Sequence, residues 1–389
     1  MKIKKMVAIC ATSLVAAAGI AMTATPAFAD PISDGYSIVG SDTLQDAVGA
    51  LANGTSISGS PVKVKGAGKT LASWDAFTLG VSGGVGKIQT KEFGNVFDRP
   101  NGSGAGRTAL LRSINYSGST TYNGVDVANQ VDLARSSSKG TAVAGGVLTY
   151  IPFGQDAIGF IYKIGTDANG NGDAAAAKAW IDGLTTAELT SFYSASSPVA
   201  VPGTDYVVKP LALQSSSGTW TTFLNKIGVG TIGAAVDTRG NTIPENDGNV
   251  LTPTADQIQI IPLSVANYIG QVNGAARINT MAGVTVGTIG GVAPTTGTAP
   301  SVAPNTAYFN SATWGRTVFI VVPTTKITPT LAGGAANPAY DAGLFALTNP
   351  SSTTSLTYWG ASGATSTTKA VKAKFGFSAP QDAAFTANN

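Results

Sequence analysis

Three times this chain runs from a turn of Ser, Thr and Gly straight into an apolar-periodic segment, and that recurrence limits the fold more than any other feature. The turns are Gly40-Ser41-Asp42-Thr43, Asn101-Gly102-Ser103-Gly104-Ala105-Gly106 and Ser215-Ser216-Ser217-Gly218-Thr219. Leu44, Ala47, Val48 and Leu51 follow the first, and Leu110, Leu111 and Ile114 the second. Trp220, Phe223, Leu224 and Ile227 follow the third, at the i, i+3, i+4, i+7 spacing of an amphipathic helix. A helix N-terminus leaves several backbone N–H groups unpaired and carries partial positive charge. Glycine lets a ligand approach those groups and hydroxyls add neutral donors, so such turns suit an anion. One turn alone reads as ordinary capping; three point to a shared pocket.

Strand-like segments precede or separate these turns. Residues 36–39, 131–134 and 206–213 are short β-prone runs, and 317–322 is the most β-branched run in the chain. Residues 148–163 form a long β-prone stretch interrupted at Pro152 and Gly154. Residues 174–181 and 185–193 read as helices, the second opened by Thr185 with Glu188 three residues on, a capping box. Strand–turn–helix alternation predicts an α/β fold, with mainly parallel sheets flanked by helices and ligands beyond the carboxyl ends of strands. Residues 282–304 and 360–368, rich in Gly, Thr, Ala and Ser, read as irregular excursions.

Composition excludes several chemistries. Residues 1–29 read as a secretory signal peptide: Lys2, Lys4 and Lys5, an apolar run from Val7, then Ala27-Phe28-Ala29 as the cleavage site. The mature chain is then expected to begin at Asp30 and to be periplasmic or secreted. The single cysteine, Cys10, leaves with that peptide, and the chain has no histidine. Thiolate metal sites, cysteine nucleophiles and His-dependent triads are therefore excluded from the mature chain. Of 24 basic residues against 21 acidic, three lie in the leader, so the mature charge balances. No basic surface for a nucleic acid is expected. Glutamate is scarce (Glu92, Glu188, Glu245) and no carboxylate pair is legible, so an enzyme is the weaker hypothesis. No cofactor is expected.

The turns, with Asp132-Leu133-Ala134-Arg135-Ser136-Ser137, Ile151-Pro152-Phe153 through Tyr162, Leu184 through Tyr193, and Trp314 through Val322, stand in an order that resembles extracytoplasmic phosphate-binding proteins of ABC transporters. The resemblance implies a periplasmic-binding-protein-like fold, two lobes joined by a hinge and closing on an anion. By that analogy residues 30–160 and 311–389 form one lobe and 161–310 the other. It implies inorganic phosphate or a similar oxyanion as ligand, an ABC transporter permease as partner, and a monomer. Carried over by position, the ligand-binding candidates are Asp42, Thr43, Leu44, Ser103, Ser137, Ser217, Gly218 and Thr219. The family's proton-accepting aspartate corresponds to Ser137, its arginine to Leu213, and the aspartate beside that arginine to Ser215. Arg135, next to Ser136 and Ser137, is the expected replacement cation, with a structural ion pair to Asp98 or Asp132 as its other reading. Asp42 could accept a phosphate proton if it faces the pocket. The missing ligands also leave open sulfate-like oxyanions, a phosphorylated or polyol ligand, or a cell-exterior interaction protein that keeps the fold without transport.

Asp167-Ala168-Asn169-Gly170-Asn171-Gly172-Asp173 matches the first half of a calcium loop, but Lys178 stands where the closing carboxylate belongs, and a polar turn explains the segment equally. Gly66-Ala67-Gly68-Lys69-Thr70 lacks the leading glycine of a P-loop, whose place is Lys63. Trp220 and Trp314 are expected in the core.

Overall fold

The computed structural model describes residues 33–77 and 86–389; the leader and Cys10 lie outside the described residues. The strands of the main sheet that matter here are β1 (Tyr36–Gly40), β2 (Leu71–Ser73), β3 (Leu133–Ser136), β4 (Leu148–Ile164), β5 (Val199–Ala200), β6 (Val207–Pro210), β7 (Gln257–Ser264) and β8 (Gly315–Pro323). They lie side by side in the order β2-β1-β3-β8-β4-β7-β6-β5. β1 pairs in parallel with β2 and β3, and β6 with β7; these are the strands that lead toward the turns. β4 and β8 are antiparallel to their neighbours and carry the sheet across its middle.

β4 is one 17-residue strand that serves two neighbours in succession. Leu148–Ala157 pairs with β8, and Ile158–Ile164 pairs with β7. The interruption expected near Pro152 and Gly154 appears as a shift in register. Val318 faces Gly154 and Phe319 faces Pro152, so Phe153 is the extra residue of a bulge. Pro152 has no N–H to give the ladder, which is why the bulge falls there.

The apolar pattern of β8 explains its burial. Val318, Ile320 and Val322 pack with Ile38, Leu44, Val48 and Leu133 on one face. Phe319 and Val321 pack with Val39, Ala109, Leu110 and Tyr150 on the other. A strand covered on both faces must be apolar without alternation, and 318–322 is. A third core surrounds the far half of β4, from Ala157 to Tyr162, with Phe192, Tyr193, Trp220, Phe223, Ile260 and Trp314. Trp220 and Trp314 are buried there, as their sequence contexts predict.

The helices include α1 (Gln45–Asn53), α2 (Ser103–Ser113) and α5 (Gly218–Lys226), which follow the three turns, and α3 (Asp173–Ile181) and α4 (Thr186–Ser194), which pack on the far half of β4. The capping box at Thr185 and Glu188 is present in both directions. In the calcium-like segment the Asp167 carboxylate accepts the N–H groups of Gly170 and Gly172, a polar turn that leads into α3. Residues 282–304 carry only two-residue strands, of which Thr285–Val286 pairs with β4. No helix among the described residues is long and apolar enough to cross a membrane.

Candidate functional site

The three turns meet. Ser216 Oγ donates to the carbonyl of Asn101 at 3.0 Å, and the N–H of Gly104 reaches the carbonyl of Ser216 at 3.4 Å. Gly102, at φ +148°, admits this approach, because a Cβ there would stand 2.4 Å from that same carbonyl. Thr43 Oγ1 lies 3.3 Å from Thr219 Oγ1, and Ser41 Oγ donates to Ser137 Oγ at 3.0 Å. Ser103 Oγ in turn lies 3.1 Å from Ser137 Oγ and accepts the Ser137 N–H at 2.9 Å. A Cβ on Gly218 would fall 2.4 Å from Ser103 Oγ and 2.6 Å from Ser137 Oγ, so only glycine lets the start of α5 close on α2. The result is a buried ring of hydroxyls and amides drawn from four separate segments.

The ring has a guanidinium, and it belongs to Arg316. Arg316 Nη2 donates to Thr219 Oγ1 at 2.8 Å and lies 3.4 Å from Thr43 Oγ1, while Nη1 donates to the Ser137 carbonyl at 3.1 Å. Its Nε and Nη2 hold Asp156 Oδ2 at 3.0 and 2.8 Å. The register of β8 against β4 sets Arg316 directly opposite Asp156, beside the point where β4 changes partner. Both side chains are almost wholly buried, so removing either one would strand an uncompensated charge.

Arg135, the expected cation, does other work. It is fully buried, and its Nε, Nη1 and Nη2 donate to the carbonyls of Ser41, Ile38, Gly40 and Trp74 and to Ser73 Oγ. These are the acceptors left at the ends of β1 and β2, so Arg135 fastens the first turn from behind. Burial lowers its pKa to about 10. Neither Asp98 nor Asp132 is its partner: Asp98 pairs with Lys87 and Asp132 with Lys91. The Leu44 side chain enters the core. Leu213, at the family's arginine position, is buried among apolar residues.

An anion already occupies the ring, and it is part of the chain. Glu245 Oε1 accepts the Thr43 N–H at 3.0 Å and the Thr43 hydroxyl at 2.5 Å, and Oε2 accepts the Ser217 hydroxyl. Ser217 also caps α5, accepting the Trp220 N–H at 3.0 Å. Burial pushes the Glu245 carboxyl upward, but the neighbouring Asp42 acid, the Arg316 charge and the two hydroxyls outweigh it. Glu245 is held below the usual carboxylate value. The Asp42 carboxyl lies against it with the opposite bias, raised well above its ordinary value by burial and then by the Glu245 charge. Neither Asp42 oxygen makes a well-directed hydrogen bond. Of this site the sequence alone misses Arg316, Asp156 and Glu245. The scarcity of glutamate is the one signal that touches Glu245.

Beside the ring lies a cavity of about 440 Å³ whose wall includes Asp42, Glu245, Asn246, Asn267, Gln271 and Arg277. Arg277 is bound to Asp46 and Asp75 at 3.0 and 2.7 Å.

No protein-family model matches the chain, and no curated protein matches its sequence. Solved structures do. A structure from Clostridium perfringens that holds bound phosphate matches with 14% identity and TM-score 0.42, over 75% of this chain and 88% of that one. An ABC-type phosphate transport receptor from Vibrio cholerae matches with 13% identity and TM-score 0.39, over 74% and 87%. A phosphate-binding protein from Stenotrophomonas maltophilia matches with 12% identity and TM-score 0.39, over 74% and 78%.

Proposed function

We propose that this chain is an exported solute-binding protein whose ring of hydroxyls, amides and one guanidinium captures a small oxyanion, phosphate above all. The observation that carries this reading is that Thr43 and Ser217 already hold a buried carboxylate, with Thr219 and the Arg316 guanidinium bonded to each other against Thr43. A carboxylate and a phosphate ask for the same donors, and charge-assisted bonds to them are about twice as strong as neutral ones. The oxyanion enters as Glu245 leaves. Residues 30–160 with 311–389 and residues 161–310 act as the two lobes, and the closed lobes present the ligand to an ABC transporter permease. The protein works as a monomer, in the periplasm or outside the cell, and turns nothing over.

Calorimetric titration with phosphate, sulfate and arsenate across pH tests this reading. Saturable binding of one anion per chain supports it, and no heat with any oxyanion removes it.

One observation favours a second reading, a cell-exterior interaction protein that keeps the fold without transport. Glu245 satisfies the ring from within, so the closed form is complete without a solute. Failure of every oxyanion in the same titration, with the protein folded, would select it.

A further inference from the structure

We infer that the ring takes its oxyanion on an organic stem: the preferred ligand is a phosphate monoester, its phosphoryl group in the ring and its substituent in the adjoining cavity. This rests on the reading of the ring as an oxyanion site. The anion seated there is itself carried on a stem. Glu245 enters the ring from the loop Pro244-Glu245-Asn246-Asp247, and all of those residues line the cavity. Ring and cavity therefore meet at Glu245, and the path its side chain follows is the path a substituent would take. A free phosphate would fill only the ring. The cavity beside it, at about 440 Å³, has the size of a ligand pocket, roughly 300–1,000 Å³.

The donors of the ring select the head group. Both Glu245 oxygens are committed, Oε1 to the Thr43 N–H and hydroxyl and Oε2 to the Ser217 hydroxyl. A carboxylate has no further oxygen for Thr219, whose Oγ1 lies 3.3 Å from Thr43 Oγ1 and is held by Arg316 at 2.8 Å. The phosphoryl group of a monoester has a terminal oxygen for each of the three hydroxyls, and its bridging oxygen leads to the stem. The cavity wall selects the stem. Phe77, Val250 and Ile278 give it apolar surface and Gln45 and Asn249 give it polar edges, which suit a short carbon chain or a ring. Arg277 in that wall is already bound to Asp46 and Asp75, so a second anionic group on the stem would find the guanidinium's charge met.

The test is calorimetric titration of the full chain with inorganic phosphate, glycerol 3-phosphate, glucose 6-phosphate, phenyl phosphate and succinate, each in phosphate-free buffer. At least one monoester is expected to bind roughly tenfold or more tightly than inorganic phosphate, a factor that burying about 55 Å² of apolar stem supplies. Ile278 lies in the cavity wall, outside the ring, and is 41% exposed, so Ile278→Trp can fill the cavity without disturbing the core. That variant should lose the monoester's advantage and keep the affinity for phosphate. Phe77→Ala, which thins the same wall, should reduce the advantage, and it gives the reading if the first variant does not fold. Three results would overturn this inference alone: phosphate binding with no monoester tighter, a monoester advantage unchanged in every folded variant, or succinate binding more tightly than any monoester. No binding by any of these anions would remove the oxyanion reading itself, and this inference with it.

Discussion

Replacing Glu245 by glutamine should tighten phosphate binding. The side chain keeps its shape, and one oxygen remains to accept from Thr43 or Ser217, but the negative charge is gone. In the wild type three donors bond to that charge: the Thr43 N–H, the Thr43 hydroxyl and the Ser217 hydroxyl. A hydrogen bond to a charged group contributes about 1.5–3 kcal/mol and a neutral one about half that, so each loses about 1 kcal/mol. An incoming oxyanion must displace all three, and it also meets the Glu245 charge as a repelling neighbour. Both effects have one sign. The expected gain is about 3 kcal/mol, or roughly a hundredfold in affinity, with 1.4 kcal/mol per factor of ten. Isothermal titration of wild type and Glu245→Gln with phosphate at neutral pH reads it directly. Equal affinities would show that Glu245 does not compete with the ligand. Weaker binding by the glutamine variant would show that Glu245 accepts the ligand's proton instead, and the competition argument would fail.

Other outcomes follow from the same geometry. Arg316→Lys should weaken phosphate by about 1.5–3 kcal/mol, whereas Arg135→Lys should lower unfolding free energy by more than about 2 kcal/mol and leave the affinity of the folded protein unchanged. Reversed results, by calorimetry and denaturant melts, would exchange the roles assigned to the two arginines. Gly218→Ala places a Cβ against Ser103 and Ser137, an overpacking that costs about 1–3 kcal/mol and should hold α5 away from α2. Phosphate affinity should fall with it, and an unchanged titration would refute the close approach. Lys372 is fully buried on the carbonyls of Phe153 and Leu356, and burial lowers its pKa well below 10.5. The folded chain then binds fewer protons than the unfolded one between that lowered value and 10.5, so stability should rise with pH in that window. Lys372→Met should flatten the rise, and a wild-type Tm that falls steadily from roughly pH 7 to pH 10 would contradict it.

Local chemistry made much of this legible from the sequence. The helices after Thr43, Gly102 and Ser217 need only small polar residues ahead of an apolar stripe, and the capping box at Thr185 needs only its own spacing. The meeting of the turns was legible in part, because Ser41 and Ser137 follow the ends of β1 and β3, whose parallel pairing brings them together. What escaped was long-range register. Asp156 and Arg316 are 160 residues apart, and only the pairing of β4 with β8 sets them face to face. Arg135 misleads because its neighbours Ser136 and Ser137 are in or beside the ring, while its own partners are strand-end carbonyls that no side-chain pattern reveals. Glu245 sits in the polar loop Pro244-Glu245-Asn246-Asp247, which reads as an exposed turn until the fold carries it to the first and third turns.

A crystal structure of the chain grown at saturating phosphate should show one phosphate bonded to Thr43, Ser217, Thr219 and Arg316, with the Glu245 carboxylate withdrawn from Thr43 and Ser217. Glu245 still seated on both residues, with no anion in the ring, would contradict it.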